Sequence, residues 1–203
     1  HERITMTLDQ TLPFLIFSLV AAITPGPSNV MITATGSAAG IVRGLPCVLG
    51  SSAGMASLMF TAALGLGQLI LGHPDILRIM NWCGAAFLLW LAWKIANAGP
   101  AGDEGAAKPV GFFGATFFQW VNPKGWLVSI GAAGTYLQPD AGSQLLQALV
   151  FAGLFFITAI PRGFVWLVLG ASLQGLLHDA RSARLFNTVM ALALAASVLM
   201  MFW

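Results

Sequence analysis

Residues 23–29 read ITPGPSN, and they interrupt the first long apolar segment of the chain. Pro25, Gly26 and Pro27 stop a regular helix here, because proline lacks the backbone N–H that a helix requires. A second interruption, VNPKG at residues 121–125, lies inside another long apolar segment. These two breaks decide the fold and the functional site that the sequence predicts.

The composition is that of an integral membrane protein. Of the 203 residues, 58% are hydrophobic and only 8% are charged, whereas roughly 25% of a soluble domain is charged. A soluble protein of this length needs more charged residues to cover its surface. We therefore expect the chain to lie in a lipid bilayer. The net charge is only +2, and the scattered basic residues form no patch for a nucleic acid.

Six apolar runs are long enough to cross the membrane as helices. They lack the alternation of apolar and polar residues that marks a barrel strand, and helices are the other structure that spans a bilayer. The sequence therefore predicts an all-α membrane protein with six transmembrane helices. The predicted spans are about 10–35, 44–71, 76–97, 111–137, 143–173 and 184–203.

The spans divide into two halves of three. The stretch NAGPAGDEGAAKPV, residues 97–110, is rich in glycine, alanine and proline and is typical of a solvated loop. We therefore predict a single membrane domain over residues 1–203, with one repeat at about 8–97, a loop at 98–110 and a second repeat at about 111–203. Halves of three spans run in opposite directions, so the broken spans, the first and the fourth, correspond in an inverted repeat.

Each break is predicted near the middle of the bilayer. Residues 12–23 precede the first break over roughly 18 Å, and residues 111–121 precede the second over roughly 16 Å, in a hydrocarbon core about 30 Å thick. Thr24-Pro25 and Asn122-Pro123 each resemble an N-cap residue followed by proline at the first helical position. Both breaks should therefore begin a second half-helix, whose positive end and unpaired N–H groups suit a carboxylate.

Two cations accompany the breaks. Lys124 follows the second break, and Arg162 lies in the fifth span within AIPRGFVW. A charged side chain at the bilayer centre costs at least about 2.5–3.5 kcal/mol, so each needs a partner or a water-filled cavity. No Asp or Glu lies clearly within a span, so we expect the ligand to supply the anion. The predicted substrate-binding residues are Thr24, Pro25, Gly26, Pro27, Ser28, Asn29, Asn122, Pro123, Lys124 and Arg162.

The same residues also have less specific explanations. Prolines in membrane helices often only kink them, and a Lys124 near the interface would extend its ammonium group to the headgroups. Two breaks at similar depth in corresponding spans favour a binding site over two unrelated kinks.

Enzymatic and metal chemistry have no support in the sequence. His1, His73 and His178 lie in or near predicted loops without metal-ligand spacing, and Cys47 and Cys83 form no CxxC pair. No metal or cofactor is therefore expected, and the spans offer no nucleophile with a base beside it. A passive channel or a structural membrane protein stays open as the alternative to a transporter.

Basic residues set the expected orientation. Loops on one side carry five Lys or Arg, those on the other side carry two, and the richer side faces the cytoplasm. Both termini are therefore predicted to be periplasmic. The five are Arg43, Lys94, Lys108, Arg181 and Arg184, and the two are Arg3 and Arg78.

The motifs at the two breaks resemble those of the lysine-exporter superfamily of bacterial amino-acid efflux proteins, in its homoserine and threonine resistance branch. TPGPSNVM in the first span and FQWVNPKGW in the fourth carry the resemblance, which covers residues 8–203. LLWLAWKIANAGP and RLFNTVMALALAASVLM are most similar to the cysteine and O-acetylserine exporter subgroup.

The resemblance implies a proton-driven exporter of small neutral amino acids in the bacterial inner membrane, and the broken repeats favour alternating access. The oligomeric state stays open, a homodimer included. Related sequences place a small Ser or Cys after the proline of the fifth span, whereas Arg162 follows Pro161 here, so the substrate within that class is left open. The family's motif positions are Thr24, Pro25, Gly26 and Pro27 in the first span, and Asn122, Pro123 and Lys124 in the fourth.

Overall fold

The computed structural model describes residues 12–18, 26–67, 72–99, 108–137 and 143–199. No strand occurs in these ranges, which confirms the all-α prediction for the described part of the chain. A 3-10 turn, Gln174–His178, precedes the last helix, and residues 12–18 are also helical. The longer helices are α1 (Pro27–Ala63), α2 (Pro74–Ala96), α3 (Phe112–Val121), α4 (Pro123–Tyr136), α5 (Gln144–Ser172) and α6 (Ala180–Leu199).

Within the described ranges, four helices are long and apolar enough to cross a membrane: α1, α2, α5 and α6. Helices α2, α5 and α6 lie close to the predicted spans 76–97, 143–173 and 184–203. Their length and composition agree with the membrane class that the sequence predicts.

Helix α1 is two helices joined at Gly40. A straight helix of its 37 residues would be roughly 55 Å long, well beyond a hydrocarbon core of about 30 Å. Gly40 breaks it with φ 75° and ψ −174°, a conformation that glycine adopts without steric cost. The sequence predicted a connection of several residues between spans 10–35 and 44–71, and one glycine replaces it. Residues 27–39 therefore form a half-length helix of roughly 20 Å.

The second break separates α3 from α4 at one residue, Asn122. Helix α3 has 10 residues and α4 has 14, which gives lengths of roughly 15 Å and 21 Å. Asn122 is extended, with φ −88° and ψ 107°, and Pro123 takes the first helical position. The predicted start of a second half-helix at Asn122-Pro123 is confirmed.

Helix α1 is the centre of the packing and contacts α3, α4, α5 and α6. Small residues allow these close contacts. At Gly54, for example, a Cβ atom would lie only 2.8 Å from Cγ of Gln119 in α3, so a larger residue would force the two helices apart. Gly170 of α5 lies directly against the Thr33 carbonyl of α1. Thr116 of α3 adds a hydrogen bond of 3.0 Å to the Gly50 carbonyl.

Two apolar clusters lie on either side of the second break along the chain. The first cluster includes Phe118 and Val121 of α3, together with Met31 of α1. The second cluster includes Trp126 of α4 and Phe155 of α5. Helix α3 packs in the first cluster and α4 packs in the second, so the break at Asn122 lies between the two clusters. The buried polar residues Gln119 and Asn122 lie at this break.

Candidate functional site

One cavity joins the two helix breaks. The first break contributes residues 26–29, the second contributes Asn122 and Lys124, and α5 contributes Arg162. The space between these residues is large enough to admit water. The structure therefore brings together seven predicted site residues, which are Gly26, Pro27, Ser28, Asn29, Asn122, Lys124 and Arg162.

The first half-helix begins two residues later than the sequence predicted. Its first residue is Pro27 and its N-cap is Gly26, which is extended at φ −171° and ψ 175°. The predicted N-cap Thr24 was therefore wrong, because a proline disfavours helical conformation in the residue before it and Pro27 holds Gly26 outside the helix. Thr24 and Pro25 lie outside the described residues.

The second half-helix is capped by a side chain. The Lys124 N–H donates to Asn122 Oδ1 over 3.1 Å, and the Asn122 amide donates to Gln119 Oε1 over 3.4 Å. These two bonds fix the cap of α4 against α3. The Lys124 side chain takes no part in them and extends away from the first turn of α4. Pro123 starts α4, but it is not among the residues that line the cavity.

Lys124 reaches from the second break to the first. A Cβ atom on residue 26 would lie 3.0 Å from Lys124 Nζ. The ammonium group therefore lies close to the backbone of Gly26, and the absence of a side chain there gives it room. The lysine side chain is half-buried and lines the cavity. This position favours the cavity over the alternative of a lysine that extends to the headgroups.

Arg162 faces the same cavity from α5. Its side chain is buried, with 9% of the residue exposed, and Nη1 donates to Asn29 Oδ1 over 3.0 Å. Helix α5 continues through Pro161 without a non-helical residue, so the arginine projects from a continuous helix. The hydrogen bond joins α5 to the first turn of α1.

Gln119 is a site residue that was not predicted. It is fully buried and donates from Nε2 to Ser28 Oγ over 2.7 Å and to Ser51 Oγ over 2.8 Å. With its bond from Asn122, Gln119 connects both helix starts. Its position three residues before the Asn-Pro break was the available signal, since a glutamine inside an apolar run needs polar partners.

The cavity also has an apolar wall, formed by Met55, Val128 and Phe155. Met55 and Phe155 belong to the second apolar cluster, and Val128 packs against it. These residues were not predicted, because apolar residues in an apolar span give no signal that distinguishes a cavity wall from the core.

The charge of the cavity is positive. Lys124 and Arg162 both line it, and no Asp or Glu occurs among its described lining residues. Like charges in one cavity repel each other, and the repulsion is strong where water is scarce. An anionic group would relieve it. Elsewhere in the described ranges no group of three His, Cys, Asp or Glu is placed to hold a metal ion.

Comparison with known proteins gives the family of the chain. The family model described as LysE type translocator matches residues 19–202. The chain belongs to this family. A cysteine/O-acetylserine efflux protein of Salmonella choleraesuis (strain SC-B67) is 37% identical over 145 residues, which cover 68% of this chain and 74% of the relative. The protein with the same description from Escherichia coli (strain K12) is 29% identical over 191 residues, 94% of this chain and 96% of the relative.

The family membership confirms the predicted resemblance and identifies the chain as a transporter rather than an enzyme. The apolar helices and the family together support a multi-pass protein of the bacterial inner membrane. No solved structure matches the chain.

Proposed function

We propose that this LysE-type translocator exports small neutral amino acids, of the cysteine, O-acetylserine or threonine kind. One observation carries the proposal: a single cavity is lined by both helix starts and by two cations, Lys124 and Arg162. The carboxylate of the amino acid binds between the starts of α1 and α4, and the two cations balance its charge.

The helix starts favour a carboxylate for a physical reason. The helix dipole places partial positive charge at the start of a helix, and this charge attracts an anion even at α4, where the Lys124 N–H is already capped by Asn122 Oδ1. Two such starts meet at the cavity, one at Pro27 and one at Pro123. Ser28, Asn29 and Asn122 add neutral hydrogen-bonding groups around the same space, which suits a zwitterion.

The substrate class comes from the relatives. The Salmonella and Escherichia relatives are both described as cysteine/O-acetylserine efflux proteins. Cysteine and O-acetylserine share the α-carboxylate that the cavity suits, and both are small and neutral. Arg162 makes the cavity more positive than a Ser or Cys would at this position, so it strengthens the hold on the carboxylate.

The transport cycle is proposed to follow from the two half-helices. Residues 27–39 and α4 have similar lengths, roughly 20 Å and 21 Å, and both begin at the cavity. This similarity supports six spans in two inverted repeats, at about 8–97 and 111–203, that rock around a fixed site. The proton gradient drives the export.

Transport in vesicles tests the proposal. Inside-out vesicles that contain the protein should accumulate labelled cysteine or O-acetylserine when a proton gradient is imposed, and uptake should saturate. Vesicles without the gradient and vesicles without the protein are the controls. Flux that is independent of the gradient and never saturates would support a passive channel instead, and an absence of flux for every amino acid would support a structural protein.

The orientation has a separate test. We propose that both termini are periplasmic, because the loops with more Lys and Arg face the cytoplasm. Single cysteines placed at positions 3 and 104 are treated in whole cells with a reagent that does not cross membranes. Position 3 should react and position 104 should not, and the reverse pattern would invert the topology. Cys83 is exposed and must first become serine, whereas Cys47 is buried.

A further inference from the structure

We propose that Met55, Val128 and Phe155 form a filter that selects amino acids by the size and polarity of their side chain. The three residues are called the apolar wall. This inference rests on the proposed function, because it concerns the same cavity and assumes that an amino acid binds there. It assigns a role in specificity to residues that touch neither helix start.

The cavity has two unlike sides. Its polar side carries Lys124, Arg162, Gln119 and the groups of both helix starts, and its other lining residues are the apolar wall and Gly125. A Cβ atom on residue 125 would lie 3.2 Å from Met55 Sδ and 2.9 Å from Leu58 Cδ1. Helix α4 therefore packs tightly against α1 at Gly125, beside the Met55 part of the apolar wall.

The apolar wall is backed by densely packed residues. Phe155 is only 2% exposed and lies in the second apolar cluster with Phe151 and Phe14. The rings of Phe14 and Phe151 are 4.5 Å apart between centroids. Packed aromatic rings of this kind do not move aside without loss of contacts, so the wall limits the length of a bound side chain.

A bound amino acid has its orientation fixed by the polar side. With the carboxylate between the helix starts, the side chain points away from them and meets the apolar wall. A charged side chain there would lose its hydration without gaining a partner, which is strongly unfavourable. A long side chain would collide with Phe155. The wall therefore admits short, uncharged side chains and rejects both basic and bulky ones.

A substitution that shortens the wall tests the filter by gain of function. Phe155→Ala should raise the ratio of leucine flux to cysteine flux in vesicles about tenfold or more, because one methylene group in such a pocket already discriminates roughly 10- to 200-fold. The ratio is measured in the same preparation, so a change in the amount of protein cancels.

Phe151→Ala is the matched control. Phe151 lies one turn before Phe155 on α5 and is also fully buried in the second apolar cluster, but it does not line the cavity. Phe151 only backs the wall, so its truncation should raise the leucine-to-cysteine ratio much less than Phe155→Ala does. An equal rise in both variants would show that looser packing, not the wall, changed the selection, and would overturn the inference.

Val128 can be made smaller or larger, which should widen or narrow the filter. These variants keep the test decisive if Phe155→Ala does not fold. Val128 is partly exposed, so its replacement disturbs the core less. Val128→Ala should raise the flux ratio of leucine to cysteine, and Val128→Phe should lower the ratio of O-acetylserine to cysteine. Unchanged ratios in both, with wild-type transport intact, would overturn the filter alone. Absence of any wild-type transport would instead overturn the proposed function.

Discussion

The two helix breaks have the same backbone plan but different caps. Each places an extended residue before a proline that begins a helix, Gly26 before Pro27 and Asn122 before Pro123. At the first break the cap residue has no side chain and makes no side-chain cap. At the second break Asn122 accepts the Lys124 N–H over 3.1 Å.

This difference shows that the breaks contribute different groups to one site. The second break is closed by its own cap, which fixes the turn from which the Lys124 side chain extends. The first break carries a glycine, which leaves room for that ammonium group and for the approach of a ligand to the backbone. One break thus supplies a positioned cation and the other an open helix start.

The largest expected effect follows from removing the cation. Lys124→Met should lower the initial rate of amino-acid transport about ten- to a hundredfold, since a hydrogen bond to a charged group contributes roughly 1.5–3 kcal/mol. The rate is measured in vesicles at subsaturating substrate. Lys94→Met is the control, because Lys94 lies at the end of α2 over the Trp90 ring and does not line the cavity.

Equal rates for Lys124→Met and the wild type, at equal amounts of protein in the membrane, would remove the lysine from the site. The comparison of the two breaks would then reduce to a difference in capping.

A smaller effect is expected from removing the cap of the second break. Asn122→Ala loses the bond to the Lys124 N–H, and loss of an N-cap costs about 1 kcal/mol of stability. Transport should fall by up to about fivefold, the change expected if this whole cost appears in the transport barrier. Asn122→Ser should restore most of the rate, because serine is also a good N-cap. Failure of serine to rescue would mean that Asn122 acts through its amide contact with Gln119, not as a cap.

The sequence predicted the second break correctly. For the first break it predicted that a helix starts within the PGP segment, but at the wrong proline. Asn122-Pro123 offers one cap and one proline, so the start of α4 was predicted correctly. PGP offers two prolines, and apolar periodicity does not choose between Pro25 and Pro27. The decisive constraint is local sterics, because Pro27 excludes Gly26 from the helix.

The convergence of distant residues was less accessible to sequence reasoning. Asn29 and Arg162 are 133 positions apart and lie 3.0 Å from each other. Depth in the membrane follows from counting residues along a span, but the lateral packing of spans does not. Phe155 shows the same limit, because nothing in its apolar segment marks it as a lining residue, while Phe151 one turn away is core.

A further, smaller effect is expected at the first break. Gly26→Ala places a Cβ atom 3.0 Å from Lys124 Nζ, so the lysine must shift from its present rotamer. A shift of this size costs about 0.5 kcal/mol, and KM should rise about twofold with the amount of protein unchanged.

Gly131→Ala in α4 is the control for Gly26→Ala, because a Cβ atom there meets nothing within 4 Å. It should leave KM unchanged. An unchanged KM in Gly26→Ala would mean that the first break tolerates a side chain, and the contrast between an open and a capped helix start would be lost.

The smallest effect concerns a third helix start, outside the site, which has a charged cap. The exposed Asp179 carboxylate accepts the Ser182 N–H over 3.0 Å and the Ser182 hydroxyl over 3.2 Å. These bonds, the backbone one first, hold the pKa of Asp179 below its usual value. The cap is therefore present above the unfolded pKa and is lost as the pH falls through the lowered folded value.

Exchange of the Ser182 amide hydrogen should accordingly quicken, after correction for intrinsic rates, as the pH falls from about 7 to about 3. Asp179→Asn should remove that dependence, and persistence in the variant would assign it to another group. Asn122 and Gly26 do not titrate, so amide exchange at the starts of α1 and α4 should not follow this pattern. Because the caps at the site are neutral, a pH dependence of transport must arise from the cations, the substrate or the proposed proton coupling. It would not arise from uncapping of the helices that are proposed to hold the carboxylate.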